Sequence, residues 1–216
     1  MSNALAESDV LLHLLSPQMH DEGVQTSTII FLQNIYKELL RRKRMSVVDT
    51  TLLDTCPYSG SQATIHVRRL LNAGYVEKVH RTAFKLGENL LRNSTGVSIF
   101  SAYFSTDKGF GADIDILEVE LYLYLSQMYK HDISSGLINF FSDLFIPFKT
   151  KEKLALGDMQ AVRGGTISLA SRHAHDLQSA GYLERVSPRY WALAESTLVD
   201  PLSIRLFKKY VERRYG

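Results

Sequence analysis

The chain has 216 residues, enough to bury a core without disulfides or metals, and length alone allows one or two domains. Hydrophobic residues make up 45% and charged residues 22%, the values of an ordinary folded protein, which excludes a disordered or fibrous chain. The formal net charge of +2 is compatible with a polyanionic partner but too small to argue for one, so the distribution of charge has to decide.

A single cysteine, Cys56, excludes an internal disulfide and Cys-rich metal sites. No apolar run approaches the ~18 to 20 residues needed to span a bilayer. The first residues lack the basic start and apolar stretch of a secretion signal, so a cytoplasmic protein with no membrane association is expected.

In chain order, 1–24 reads as an N-terminal helical segment in which Leu11, Leu12, Leu14 and Leu15 form an apolar stripe. Residues 26–44 follow as a long helix. Its broad apolar face is made by Ile29, Ile30, Leu32, Ile35, Tyr36, Leu39 and Leu40, and it ends in the basic run 41–44. A shorter helix is expected over 46–54, and Pro57 and Gly60 then supply turn chemistry. From 61 to 73 the apolar residues Ala63, Val67 and Leu70 follow the i, i+4, i+7 spacing of one helix face. Gly74 sits where a helix ends in a left-handed residue, and 75–79 alternates as a half-buried strand before the short turn of His80, Arg81 and Thr82.

Residues 92–114 are rich in Gly, Ser, Thr and Asn and are expected to connect two domains, packing as a strand or helix where 97–104 turns apolar. Asp113 and Asp115 suit the N-terminal dipole of a helix at 116–129, and 133–145 reads as another helix. The terminal segment 199–216 reads as a basic helix with an apolar stripe of Leu202, Leu206, Phe207, Tyr210 and Val211.

One unit occurs twice. Ala63, His66, Leu70, Ala73, Gly74, Tyr75 and Glu77 lie over Ala170, His173, Leu177, Ala180, Gly181, Tyr182 and Glu184 at a constant offset of 107. Phe84 on Trp191, Leu86 on Leu193 and Glu88 on Glu195 continue the match without a gap. The expected domains are 25–91 and 115–198, which sets the helix at 26–44 opposite that at 116–129. Each copy ends in helix, Gly, strand, short turn, strand, so the fold class expected is mainly α with small β-hairpins.

This order resembles the winged-helix superfamily, especially bacterial regulators with MarR-like or PadR-like sequences. The residues that carry the resemblance are Ser61, Thr64, Arg68, Leu70, Gly74, Tyr75, Val76 and Lys78, and again Ser168, Ser171, Arg172, Leu177, Gly181, Tyr182, Leu183 and Arg185. The resemblance implies two tandem winged-helix domains that bind double-stranded DNA in a sequence-specific way, with 61–72 and 168–179 as recognition helices, and a role in transcription regulation. Such regulators commonly dimerise through terminal helices, which makes the two apolar terminal stripes candidates for a homodimer.

A recognition helix presents to the major groove the residues opposite its core stripe. With Ala63 at the core centre, Ser61, Gln62, Thr64, Ile65, Arg68 and Arg69 face outward, and Lys78 and Arg81 extend the set into the hairpin. Gln and Arg make bidentate contacts to adenine and guanine, and Ser or Thr reaches bases or phosphates. The second copy offers Ser168, Leu169, Ser171, Arg172, His175 and Asp176, with Arg189 in its turn. That set is less basic, so the first copy is expected to contribute more binding energy. Two other readings stand beside this one: a plasmid or phage replication or partition protein, and a winged-helix protein-interaction subunit. No enzyme, metal site or cofactor is expected. His173 and His175 stand at i and i+2 of a helix, about 200° apart, and cannot share an ion. The glycines lie outside any strand–Gly-rich–Lys-Ser order, so no phosphate-binding loop is expected.

Overall fold

The computed structural model describes residues 5–48, 56–104, 114–195 and 197–216. Its contacts divide the chain into two units, Met1–Ala112 and Asp113–Gly216. The first holds α1 (Glu7–Asp21), α2 (Thr26–Arg42), β1 (Met45–Ser46), α3 (Gly60–Asn72), β2 (Val76–Lys78), β3 (Ala83–Leu86) and α4 (Ser94–Phe104). The second holds α5 (Ile116–Lys130), α6 (Ser135–Lys151), β4 (Leu154–Ala155), α7 (Leu156–Arg163), α8 (Ile167–Ser179), β5 (Leu183–Arg185), β6 (Tyr190–Leu193) and α9 (Pro201–Tyr215). The architecture is mainly helical, with one three-stranded antiparallel sheet in each unit, ordered β1-β3-β2 and β4-β6-β5. No helix of the described residues is long and apolar enough to cross a membrane.

Local chemistry explains the helix at the centre of each unit. Ser59 and Gln62 form a reciprocal capping box at the start of α3, the Gln62 amide N–H donating to Ser59 Oγ and the Ser59 N–H to Gln62 Oε1. At its end Gly74 takes φ +73°, and the N–H groups of Tyr75 and Gly74 close on Leu70 O and Leu71 O at 2.9 and 3.1 Å. In α8 the Thr166 hydroxyl accepts from the Leu169 N–H, and Gly181 at φ +80° is followed by the same two closing bonds, to Leu177 O and Gln178 O. Only a residue without Cβ adopts that left-handed turn at no cost.

The repeat runs further than the 107-residue match. Val10, Leu14, Met19, Ile29 and Phe31 correspond to Val119, Leu123, Met128, Ile138 and Phe140, all buried, at an offset of 109. Positive φ recurs at Lys43 and Glu152 on the same offset, just before the first strand of each sheet. Thirteen residues separate β1 from α3 and eleven separate β4 from α8, which accounts for the change of offset. The element equivalent to α2 is therefore α6, not the helix at 116–129 expected from the sequence; α5 is the counterpart of α1. The segment 1–24 and the basic helix 199–216 are accordingly parts of the two units: α1 packs against α2 and α4, and α9 packs against α5.

Other expectations change in detail. The expected connection 92–114 contains α4, a helix of eleven residues packed on α1. Ser46 is in β1 rather than in a helix over 46–54, and 49–54 lies outside the described residues, as does Asp113. Asp115 caps α5 through the Leu117 N–H at 3.0 Å. Each hairpin gains a third strand, with Met45 facing Phe84 and Leu154 facing Trp191 across the ladder. The apolar face of α2 is narrower than expected, since Leu40 is 42% exposed. On the terminal helices Leu14, Leu15, Leu206 and Tyr210 are buried inside their own units, so these side chains are not open to a second copy.

Candidate functional site

One face of α3 is core and the other is open. Ala63, His66, Val67 and Leu70 are buried, whereas Ser61, Gln62, Thr64, Ile65 and Arg68 are exposed. Two of the exposed side chains are already engaged. Thr64 Oγ1 donates to Gly60 O at 2.8 Å, and Gln62 Oε1 is taken up by the cap on Ser59. A bidentate contact to adenine uses both ends of the side-chain amide, so at Gln62 it would replace this cap.

The hairpin folds back beside this face and a groove of about 220 Å³ lies between them. Its rim carries Thr64 and Arg68 from α3, Lys78 from β2, and His80, Arg81 and Thr82 from the turn. Val67 and Phe84 form part of its apolar floor, and among the described residues no carboxylate lines it. Five other cations of the first unit are paired, Lys37 with Asp9, Arg41 and Arg42 with Glu38, Lys85 with Glu77, and Arg92 with Glu22, whereas Lys43, Arg44 and Arg69 are not paired among the described residues. Arg68, Lys78 and Arg81 make no ion pair among the described residues, so their field is directed outward.

Arg69 does not belong to this groove. Successive helix positions are about 100° apart, and Arg69 lines a separate depression with Glu22, Gly23 and Asn72 at the α1–α2 turn. The sequence placed both arginines on one outward face; in the structure they line different depressions.

In the second unit Ser168, Arg172, His175 and Arg189 are exposed and Ser171 is half-buried. The substitutions at equivalent positions change the face. His175 replaces Arg68, Asp176 replaces Arg69, and Trp191 replaces Phe84. The His175 ring stands edge-on to Trp191, with centroids 4.9 Å apart. Arg185, in the place of Lys78, lies 5.7 Å from the Trp191 ring and donates to Ser187 O and Pro188 O. The polar contacts of this side chain are therefore directed at its own turn. Ile167 is 53% exposed and Leu169 is exposed too, where the first unit has Gly60 and Gln62.

Two further residues in α3 and α8 are packing groups. His66 is buried between Phe31 and Tyr58, with ring centroids at 5.1 and 4.8 Å and Thr28 Oγ1 3.0 Å from its Nδ1. Burial and, less strongly, the charge of Arg69 lower its pKa. His173 packs on Phe140 at 5.0 Å and burial lowers its pKa as well. Leu137 stands where Thr28 stands in the first unit, and the buried Nδ1 of His173 has no hydrogen-bond partner among the described residues. His173 and His175 turn to different neighbours. Among the described residues no group of three His, Cys, Asp or Glu side chains is arranged to hold a metal ion. Cys56 is buried, and burial pushes its thiol up to about 11.

No protein-family model matches the chain, and neither a curated protein nor a solved structure matches it.

Proposed function

We propose that the chain is a sequence-specific duplex-DNA-binding protein made of two winged-helix units, that it grips DNA with α3 and the β2–β3 hairpin of the first unit, and that it acts as a transcriptional regulator. The observation that carries this reading is the groove rimmed by Arg68, Lys78 and Arg81, whose charges have no ion-pair partner among the described residues, while the other described cations of the unit between Lys37 and Arg92, apart from Lys43, Arg44 and Arg69, are paired. Phosphate contacts supply most of the affinity of such an interface, and base edges read by an inserted helix supply specificity. Thr64 and Arg68 are the side chains on α3 placed to serve both.

A protein-docking role for the α8 face of the second unit has its own support in the exposed Ile167 and Leu169. It applies to a different surface and leaves the first reading intact.

The test is fluorescence anisotropy with labelled duplex DNA at several salt concentrations. Reversing Arg68 and Arg81 to Glu is expected to abolish binding while the thermal transition stays in place, because both side chains are exposed. Unchanged affinity in that double variant would remove the groove from the interface. A genome-wide map of bound DNA then separates the regulator, found at promoters, from a replication or partition protein, found at an origin.

A further inference from the structure

In the second unit the terminal helix carries the densest run of cations, and we infer that α9 binds the phosphate backbone of duplex DNA; this rests on the DNA-binding reading above. The helix α9 carries five cations, Arg205, Lys208, Lys209, Arg213 and Arg214, against the single acid Glu212. Residues 113–216 hold thirteen Lys and Arg and thirteen Asp and Glu, so outside α9 the second unit has eight cations and twelve acids. That remainder is net acidic, and α9 is where five of the unit's thirteen cations lie together.

The scaffold does not demand these charges. The counterpart helix α4 occupies the same place in the first unit with no charged residue in its eleven positions. The favourable interaction of cations with a helix C-terminus acts within the last turn. It accounts for Arg213 and Arg214 but not for Arg205, Lys208 and Lys209.

Arg205, Lys209 and Arg213 form an i, i+4, i+8 row, where like charges about 6 Å apart along the axis repel and destabilise an isolated helix. Lys208, Lys209 and Arg213 make no ion pair among the described residues to relieve that repulsion. Leu202, Leu206 and Tyr210 bury the opposite side of the helix in the unit and hold the row outward. A line of negative charge is its complement, and duplex DNA presents one at every ~1.7 Å of its axis. On α8, by contrast, His175 and Asp176 stand where Arg68 and Arg69 stand on α3, and Arg185 is turned to its own hairpin.

The experiment compares the full chain with the variant Lys208→Gln, Lys209→Gln, Arg213→Gln on a labelled mixed-sequence duplex. Loss of three phosphate contacts is expected to lower the salt slope by about two to three units, to weaken binding roughly three- to thirtyfold at 0.1 M salt, and to leave sequence preference alone. Lys208→Arg should keep wild-type affinity, which tests charge and not shape. Affinity and slope unchanged in the triple variant, while Arg68→Ala weakens binding, would overturn the role of α9 and leave the α3 groove standing. If neither variant affects the duplex, the DNA-binding reading falls with it. Loss of binding to phosphatidylserine vesicles with duplex affinity unchanged would assign α9 to a lipid surface and overturn the inference.

Discussion

Gln18 and Gln127 share three equivalent hydrogen bonds in the two units. Gln18 Nε2 donates to Tyr75 Oη at 2.8 Å and to Leu90 O at 2.7 Å, and its Oε1 accepts from the backbone N–H groups of Arg92 and Asn93. Gln127 Nε2 donates to Tyr182 Oη and Thr197 O, and its Oε1 accepts from the Asp200 N–H at 2.8 Å. Both are buried where the chain leaves the hairpin and enters the last helix. Asn93 and Asp200 then cap those helices through the N–H groups of Thr95 and Ser203. One amide thus replaces the backbone partners that a chain reversal inside the core would otherwise lack.

Gln18→Leu keeps the bulk of that side chain and removes its hydrogen bonds. Two backbone N–H groups are left without an acceptor, at a cost of ~1–3 kcal/mol for each buried group. A loss of about 2 to 5 kcal/mol in chemical denaturation of the first unit is expected. A loss below about 0.5 kcal/mol would show that water replaces the amide and that the network does not hold the last helix.

Arg68 and Arg69 are expected to behave differently although they are adjacent. Arg68→Ala should weaken DNA binding and lower the salt slope by about one unit if the contact is to phosphate, or cost roughly 1–3 kcal/mol at a single base position if it is bidentate to guanine. Arg69→Ala should change affinity less than twofold, because the side chain lies beside Glu22 in another depression. Equal effects in anisotropy titrations would mean that α3 presents a different face to the duplex.

Acid should destabilise the fold through its two packed histidines. Burial holds the folded-state pKa of His66 and His173 below the usual 6.5. The unfolded chain takes up protons as pH falls through that value, while the folded chain does so only lower, so stability is full above 6.5 and declines between the unfolded and the folded values. Urea midpoints should therefore fall from about pH 7 to pH 5, and fall less in His66→Phe. Parallel pH profiles for the two proteins would assign the decline to other groups.

Cys56 should be inert in the folded chain. With its thiol pushed up to about 11, the reactive thiolate is scarce at neutral pH. Iodoacetamide labelling, followed by mass spectrometry, should be slow in buffer and fast in guanidinium. Rapid labelling of the folded protein would show that this thiol is accessible and reactive.

The helix–Gly–hairpin of each unit was legible in the sequence because its signals are local. An apolar i, i+4, i+7 face and a left-handed Gly74 or Gly181 act within a few residues of each other. Mainly helical structure with small antiparallel sheets follows from that and was expected. The equivalence of α1 with α5 and of α2 with α6 was not read, although Gln18 matches Gln127 and Met19 matches Met128, because two extra residues between β1 and α3 shift the offset from 107 to 109. β1 and β4 are two residues long, too short to show an alternation, and form only by pairing with a strand far along the chain. The sequence named Arg68, Lys78 and Arg81 as outward cations, but only packing could bring α3 and the hairpin together around one groove and turn Arg69 away from it. The same holds for His175 and Arg185 on Trp191. Periodicity sets which side of an element faces the core; which side chains meet across two elements depends on how those elements pack, a relation between distant residues that no local pattern records.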